Sequence, residues 1–351
     1  MRGMGIIASS FLLLLSTQAL SAPAQHLLPG GYTEKVLALR PYIDMPEGIA
    51  IDSRGHIFIG NRRLENDARV SEILEIALDG TTTVVATLDP AVADDFRAGV
   101  LGLAIDAQGD LYAALASFNP ATHGVWRIRR GGETERLPGS RHMIMPNAIT
   151  FGPRGNIYVT DSADGAIWRF PRAGRGKLWI RHALLAPDPN FGIGANGIAF
   201  VPPRDLFVAN TDLALIARVR IGQDGKPGEP EVVAAGLELL IIDGLAADAH
   251  GQLHAVIAGA SIFGTDPLVR VNPNTGEITS STRHADAFDF PTSLAFGRGP
   301  LDHKSVYVVN AGLYAEGRPE AAPGVIRAVA GVPGLPVSLN GVGNEGASSG
   351  H

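Results

Sequence analysis

Four oxygen-bearing side chains recur at one position of a repeated sequence unit. Each unit opens with a short apolar run, and the residues directly before the six runs are, in chain order, Glu47, Leu101, Asn147, Asn196, Asp243 and Thr292. Two carboxylates and two carboxamides are oxygen ligands of the kind that a hard divalent cation such as Ca²⁺ prefers. The chain contains no Cys, and no His stands at this position, which argues against a soft metal.

A simpler role exists for any one of these residues, because Asn and Asp before a strand often cap a turn. The cation is favoured by the recurrence of oxygen donors at one register, with Gly or Ala next in all four cases. Without a cation, Glu47 and Asp243 would repel each other in a shielded channel.

The repeated unit predicts the elements that position these residues. It recurs about every 46 to 54 residues, and each copy is typical of a β-hairpin followed by a third and fourth strand. The copies begin at Gly48, Gly102, Pro146, Gly197, Gly244 and Ser293. We therefore predict an all-β fold, a six-bladed β-propeller of four-stranded antiparallel blades. The segment Tyr32 to Arg40 is predicted to close the ring as the outer strand of the sixth blade.

The innermost strands of a propeller line its central channel, so equivalent residues of different blades lie at similar height around the axis. The four donors are therefore expected to meet at one point. Long connections lie on the same edge of the blades, which favours this face for ligand entry. They are 61–69, 89–99, 117–124, 184–195, 259–267 and 312–323.

The order of the donors resembles the SMP-30/gluconolactonase family, six-bladed propellers that include calcium-dependent lactonases. The matching segments are Met45–Gly48, Pro146–Ala148, Ala195–Gly197 and Ile242–Gly244, and the likeness extends from Met45 to about Pro336. The resemblance implies that Glu47, Asn196 and Asp243 bind the metal, that Asn147 lies in the substrate shell, and that Asp243 is the general base.

Two positions depart from the family pattern. Ile49 and Ala50 follow Gly48, where the family commonly has Pro and Trp near the first Glu. Met145 stands where family members carry a sugar-binding Arg, two residues before the third-blade Asn. The second departure leaves open a substrate that is less polar than a sugar lactone.

Other polar residues in the long connections are weaker candidates. His123, His142 and Arg97 are considered for substrate binding, although loop histidines are often solvated bystanders. The second strands of three blades end in Asp161, Asn210 and Asn310, for which turn capping is the favoured interpretation.

The two ends of the chain and its net charge predict where the protein is found and what it binds. Residues 1–24 resemble a cleaved secretory signal peptide ending in Ser21-Ala22-Pro23-Ala24, with the propeller over 25–337 and a disordered tail over 338–351. We expect export to the periplasm or beyond, no membrane span after signal removal, and a monomer. A net charge of −6 without a basic run gives no footprint for nucleic acid, so the expected partner is a small molecule.

The resulting hypothesis is an exported hydrolase of lactones or related esters. A cation would polarise the carbonyl, and Asp243 would act as general base. One alternative is a non-catalytic propeller with a structural ion that binds a ligand or protein. Another is a lyase, isomerase or condensation reaction on the same scaffold, since one fold hosts many activities.

Overall fold

The computed structural model describes residues 33–38, 45–66, 68–189, 191–280, 287–299, 302–314 and 323–336. The signal peptide predicted for residues 1–24 and the tail predicted for residues 338–351 lie outside these ranges. Within the described ranges, no helix has the length and hydropathy needed to span a membrane.

Within the residues described, twenty-four strands form six antiparallel sheets of four strands. The first sheet comprises β2 (Glu47–Ile51), β3 (Ile57–Glu65), β4 (Ala68–Ile76) and β5 (Thr82–Val92). The second comprises β6 (Gly99–Ile105), β7 (Leu111–Ala116), β8 (Gly124–Ile128) and β9 (Thr134–Arg136). The third comprises β10 (Pro146–Phe151), β11 (Ile157–Asp161), β12 (Ala166–Phe170) and β13 (Lys177–Arg181). The fourth and fifth comprise β14 (Ala195–Val201), β15 (Asp205–Asn210), β16 (Leu215–Arg220) and β17 (Glu231–Ala235); β18 (Ile242–Ala247), β19 (Leu253–Ile257), β20 (Leu268–Val271) and β21 (Ile278–Ser280).

The sixth sheet joins the two ends of the chain. It contains β22 (Pro291–Phe296), β23 (Ser305–Asn310), β24 (Gly324–Val329) and, outermost, β1 (Thr33–Ala38). Each innermost strand contacts those of its two neighbours, and β22 contacts β2. The ring is closed, so the predicted six-bladed propeller and the closing role of the first strand are confirmed.

Helical structure in the described ranges is confined to single turns. One α-helical turn, α1 (Ala260–Phe263), follows β19. Short 3₁₀ turns occupy Ser140–His142, Pro153–Gly155, Ala183–Leu185 and Leu237–Leu239.

A repeated aspartate sets the turn at the end of three innermost strands. In the first blade, Asp52 Oδ1 accepts hydrogen bonds from the backbone N–H groups of Arg54 and His56, and Gly55 adopts a φ of 91°. The same contacts recur from Asp106 and Asp248. Tight turns of this kind keep one face of the ring compact, and the longer connections lie on the other face.

The first blade differs from the sequence prediction. Residues 61–69 are predicted to be a long connection, but β3 and β4 continue through them and pair as far as Glu65 and Ala68. β5 likewise extends to Val92, so the predicted connection 89–99 is shortened to residues 93–98. Residues 315–322 of the predicted connection 312–323 lie outside the described ranges. The extension is held by Glu72, whose carboxylate accepts hydrogen bonds from Asn61 and Arg63. Because these polar groups form hydrogen bonds with each other, a polar segment can remain in the sheet.

Packing between neighbouring blades provides the core. One cluster joins Phe58 and Ile73 of the first blade to Leu103 and Leu115 of the second, and all four are buried. With no Cys in the chain, these apolar contacts and the strand pairing must hold the ring together.

Candidate functional site

A bulge interrupts every innermost strand at the position of the predicted donors. The pairing register shifts between Glu47 and Ile49, Val100 and Gly102, Pro146 and Ile149, Ala195 and Ile198, Ile242 and Leu245, and Pro291 and Ser293. A bulge leaves one residue outside the ladder and changes the direction of its side chain. Leu101, Asn147, Asn196, Asp243 and Thr292 fall outside the ladder in this way. In the first blade Glu47 stays paired with Gly60, and the residue outside the ladder is Gly48, directly after it.

The six residues at these bulges line one small cavity on the channel axis. The cavity has a volume of about 60 Å³, and its lining includes Glu47, Leu101, Asn147, Asn196, Asp243 and Thr292. Asn147 and Asn196 are each 4% exposed and Asp243 is 8% exposed, whereas Glu47 is half-buried. The structure thus brings together the four predicted donors, which are up to 196 residues apart in the sequence (243 − 47).

Glycines after the bulges allow the strands to approach this closely. A Cβ atom on Gly102 would lie 2.1 Å from the backbone oxygen of Asn147, and one on Gly197 would lie 2.4 Å from the backbone oxygen of Asp243. Real Cβ atoms do not approach so near, so a side chain at either position would force the blades apart. The absence of these side chains keeps the cavity narrow.

Hydroxyl groups directly after the second strands orient the two carboxamides. The Asn147 amide donates to Ser162 Oγ (3.1 Å), and Ser162 donates to the Ala195 carbonyl in the next blade (2.6 Å). The Asn196 amide donates in the same way to Thr211 Oγ1 (3.0 Å), which donates to the Ile242 carbonyl (2.7 Å). Each chain of hydrogen bonds fixes an amide group and ties neighbouring blades together.

Thr211→Val is expected to weaken this arrangement. The substitution keeps the shape of the side chain but removes one hydrogen-bond partner from the buried Asn196 amide and one from the Ile242 carbonyl, at a cost of about 1–3 kcal/mol. Thermal unfolding and a calcium titration of the variant should show a lower Tm and weaker binding. Thr265→Val is the matched control, because Thr265 Oγ1 is buried and makes no hydrogen bond. Equal losses in the two variants would contradict a specific role for Thr211.

Burial and like charge make the two carboxyl groups costly to ionise. Burial raises the pKa of Asp243 to about 8, against a smaller opposing effect of a hydrogen bond from Asn196. The pKa of Glu47 is also raised, first by burial and then by the Asp243 carboxylate, while Arg62 lowers it. A bound cation would offset this cost, since positive charge favours ionised carboxylates.

Arg62 and Asn61 belong to the surroundings of the site although the sequence did not single them out. Arg62 is 4% exposed and donates from Nη1 to the carbonyls of Asp95 (2.5 Å) and Ala98 (2.8 Å), which anchors the connection before β6. Asn61 follows Gly60, the pairing partner of Glu47, and its buried Oδ1 has no hydrogen-bond partner. Their only sequence signal was polar character directly after the apolar part of β3.

The three weaker substrate-binding candidates do not line the cavity. His123 is buried, accepts at Nδ1 from the Phe118 N–H and contacts the Met143 carbonyl through Nε2; burial lowers its pKa. His142 is exposed and contacts Arg175. Arg97 is held by Asp95 through Nε (3.0 Å) and Nη2 (2.8 Å). Their roles in substrate binding remain predictions.

The capping interpretation for the ends of the second strands is confirmed at Asn210, whose Oδ1 accepts from the Leu213 N–H of the following turn (3.0 Å). The contacts of Asp161 and Asn310 reach the connections before the innermost strands instead. Asp161 accepts hydrogen bonds from the backbone N–H groups of Ile144 (2.8 Å) and Met145 (2.7 Å). Asn210 donates to two carbonyls of the connection before β14, and Asn310 accepts from the Asp289 N–H. These contacts hold the connections that lead into the innermost strands.

The donor set suits an oxygen-coordinated cation. In the described part of the chain, no group of three or more His, Asp or Glu side chains could hold an ion. The cavity instead offers two carboxylates and two amides, a set suited to a hard divalent cation with water completing the coordination. The raised pKa values of Glu47 and Asp243 and the fixed amide groups are consistent with such an ion.

These features define a six-bladed β-propeller with oxygen donors converging at one end of its channel. Among solved structures, the chain is similar to a gluconolactonase from Xanthomonas campestris, at 16% identity and a TM-score of 0.62 over 88% of this chain and 94% of that one. It is also similar to a calcium-binding regucalcin from Agrobacterium tumefaciens, at 17% identity and a TM-score of 0.63 over 88% and 96%.

A third similar structure has a different chemistry. It is the virginiamycin B lyase from Staphylococcus aureus, at 20% identity and a TM-score of 0.51 over 80% of this chain and 85% of that chain. No family profile and no curated protein match the sequence. At these identities the likeness establishes a shared fold, and the activity has to be argued from the site.

Proposed function

We propose that this protein is a divalent-cation-dependent hydrolase of lactones or related esters. The observation that carries the proposal is the convergence of Glu47, Asn147, Asn196 and Asp243 on one cavity of about 60 Å³. The structural likeness to a gluconolactonase supports the reaction class, and the likeness to a calcium-binding regucalcin supports Ca²⁺ as the ion.

The cation would be held by Glu47, Asn196 and Asp243, with Asn147 as a further oxygen donor on the substrate side. When bound, it would supply positive charge that polarises the carbonyl of an ester and stabilises the developing oxyanion. The amides of Asn147 and Asn196 are held by Ser162 and Thr211, so the chain prepares their orientation before a ligand enters.

Asp243 is proposed as the general base. It would accept a proton from water while the water oxygen forms a bond to the carbonyl carbon. The ester C–O bond then breaks, and the proton passes to the leaving alkoxide oxygen. A lactone would thereby yield its hydroxy acid without any reactant other than water.

The deciding experiment is hydrolysis of a panel of lactones by the purified protein, followed by pH-stat titration. We expect activity with calcium, its loss on chelation and its recovery when calcium is restored. Product analysis by mass spectrometry separates hydrolysis, which adds one water, from the lyase alternative, which adds none. A non-catalytic propeller would show a fall in Tm on chelation and no turnover.

Stability without a cation should fall as the pH rises from about 4 to 8. The folded-state pKa of Asp243 is about 8, above the value of 3.8 for an ordinary Asp. The unfolded chain therefore releases this proton first, so ionisation favours unfolding throughout that interval. Calcium should reverse the trend, because it binds the ionised form.

The measurement is the difference in Tm between calcium-loaded and calcium-stripped protein across the same pH interval. Other carboxylates also make stability depend on pH. Arg97, for example, lowers the pKa of Asp95, so protonation of Asp95 destabilises the protein when the pH falls. This contribution is the same with and without calcium, so it cancels in the difference. A difference that stays constant with pH would contradict a cation bound by Glu47 and Asp243.

Export is proposed as part of the same function. It rests on the sequence of residues 1–24, which lie outside the described ranges. Fractionation of cells expressing the full chain, with sequencing of the mature amino terminus, tests it. An intact Met1 in the cytoplasmic fraction would contradict the proposal.

A further inference from the structure

A second ring of residues lies just before the cavity-lining ring. The residues two positions before the six bulge residues are Met45, Gly99, Met145, Gly194, Ile241 and Phe290, here called the upper ring. None of them carries a hydroxyl, amide or charged group. Four are large and apolar, and the other two are glycines, so the upper ring supplies no hydroxyl, amide or charged group to a ligand.

The backbone makes this composition unusual. Met45, Ile241 and Phe290 have φ values of 52°, 56° and 55°, in the left-handed region. Bulky and β-branched residues rarely adopt this conformation, whereas Gly and Asn adopt it readily. Three blades thus place a large apolar side chain where the backbone itself favours a small or polar one. Strained residues of this kind cluster at ligand sites.

One side of the upper ring continues into an apolar wall. Met145 is 1% exposed and forms a buried cluster with Leu101 and Ala116, against which Ala163 and Ile193 pack. Leu101 also lines the donor cavity. Hydrocarbon therefore extends from the donors of the third and fourth blades to the long-loop face. On the sixth blade, the half-buried Phe290 lies 6.4 Å from the ring of the exposed Tyr314.

Three charged groups near this end of the ring are held by hydrogen bonds within the protein, although one oxygen of Asp212 is left unpaired. Arg62 donates to two backbone carbonyls, and Arg97 is paired with Asp95. Asp212 accepts through Oδ2 from the N–H groups of Asp188 (2.9 Å) and Ile193 (2.8 Å), which leaves one buried oxygen, Oδ1, without a partner. A substrate bearing several hydroxyl groups would have to bury most of them against hydrocarbon, which is unfavourable.

We infer that the substrate carries hydrocarbon next to its scissile carbonyl, as an alkyl-substituted lactone or ester, and that it is not a polyhydroxylated sugar lactone. This inference rests on the proposed hydrolase function. The half-buried Phe290 is the specificity-determining residue, and Leu101 lines the donor cavity elsewhere on the ring, with the buried Met145 packed behind it.

The test compares an alkyl δ-lactone with glucono-δ-lactone on the calcium-loaded protein. We expect kcat/KM for the alkyl lactone to be about 100-fold higher, since each buried methylene contributes roughly 10- to 200-fold. Phe290→Asn should lower kcat/KM for the alkyl lactone about tenfold, and Asn tolerates the left-handed backbone. Leu78→Asn is the control, because it removes an exposed apolar side chain from a turn on the opposite face. It should leave kcat/KM unchanged for both lactones. Higher activity on glucono-δ-lactone would overturn the inference.

A binding measurement distinguishes failure of this inference from failure of the proposed function. Calorimetry with the two corresponding lactams, which resist hydrolysis, reports recognition without turnover. If neither lactone is hydrolysed but the alkyl lactam binds and Phe290→Asn weakens it, the hydrolase proposal fails and the apolar site stands. Tighter binding of the hydroxylated lactam, or no binding of either lactam, overturns the inference.

Discussion

Replacing Asp243 by Asn should lower kcat for lactone hydrolysis by about 10³-fold, the range expected for loss of a general base. The substitution keeps the size of the side chain and its place in the bulge of β18, but it removes the group that would accept a proton from water. It also removes one of the two negative charges in a buried cavity, so calcium affinity should fall in the same variant.

Two further variants separate the loss of the base from the loss of the cation. Glu47→Gln removes a charge at the cavity but no proposed proton acceptor, so its activity should recover when calcium is raised to saturation. Asp243→Asn should remain inactive under the same conditions. Asp164→Asn is a control on the long-loop face, where it loses only an ion pair with the largely exposed Arg181. Full activity of Asp243→Asn at saturating calcium would show that another group is the base.

The fold was predictable from the sequence because each blade repeats the same local signals. Turn aspartates such as Asp52 and Asp106 end the first strand, a glycine allows the reversal, and alternating apolar residues follow. A blade cannot bury both of its faces alone, so six copies of one unit imply stacking of neighbours, and the pairing of β1 with β24 completes the ring.

The convergence of the donors was also predictable, since equivalent positions in a ring lie at equal height. The sequence could not show why the side chains turn inward. The structure shows pairing irregularities there, which take Asn147, Asn196 and Asp243 out of the ladder and leave Gly48 unpaired directly after Glu47. The hydroxyls of Ser162 and Thr211 were missed for a related reason, because they act across a blade boundary on the Ala195 and Ile242 carbonyls.

The first blade shows where local signals mislead. Polar residues such as Asn61 and Arg63 indicated a loop, but their hydrogen bonds to Glu72 in the neighbouring strand satisfy them within the sheet. Once β3 continues, Arg62 can reach the carbonyls of Asp95 and Ala98 and lower the pKa of Glu47. The extension of β3 therefore depends on contacts with β4 and with the connection before β6. The residue pattern of β3 alone does not show these contacts.

A single methyl group on Gly102 is expected to damage both the stability of the ring and its cation site. The Cβ of Ala at this position would lie 2.1 Å from the Asn147 backbone oxygen and 2.9 Å from the Ala148 Cα, and backbone atoms cannot move aside without shifting β10. Overpacking of this kind costs about 1–3 kcal/mol and occasionally more, and we expect the upper end here. Calorimetry should show a Tm lower by about 6 °C or more, given roughly 2–4 °C per kcal/mol.

The effect on the ion distinguishes this clash from ordinary destabilisation. Because β10 carries Asn147, a shift of β10 should separate that donor from the others and weaken calcium binding even at temperatures where Gly102→Ala is folded. Gly131→Ala is the matched control, since a Cβ there meets no atom within 4 Å. It should leave Tm and calcium affinity unchanged. A Gly102→Ala protein with a lower Tm and unaltered calcium affinity would mean that the ring tolerates displacement of β10, and that close strand approach is not what positions the donors.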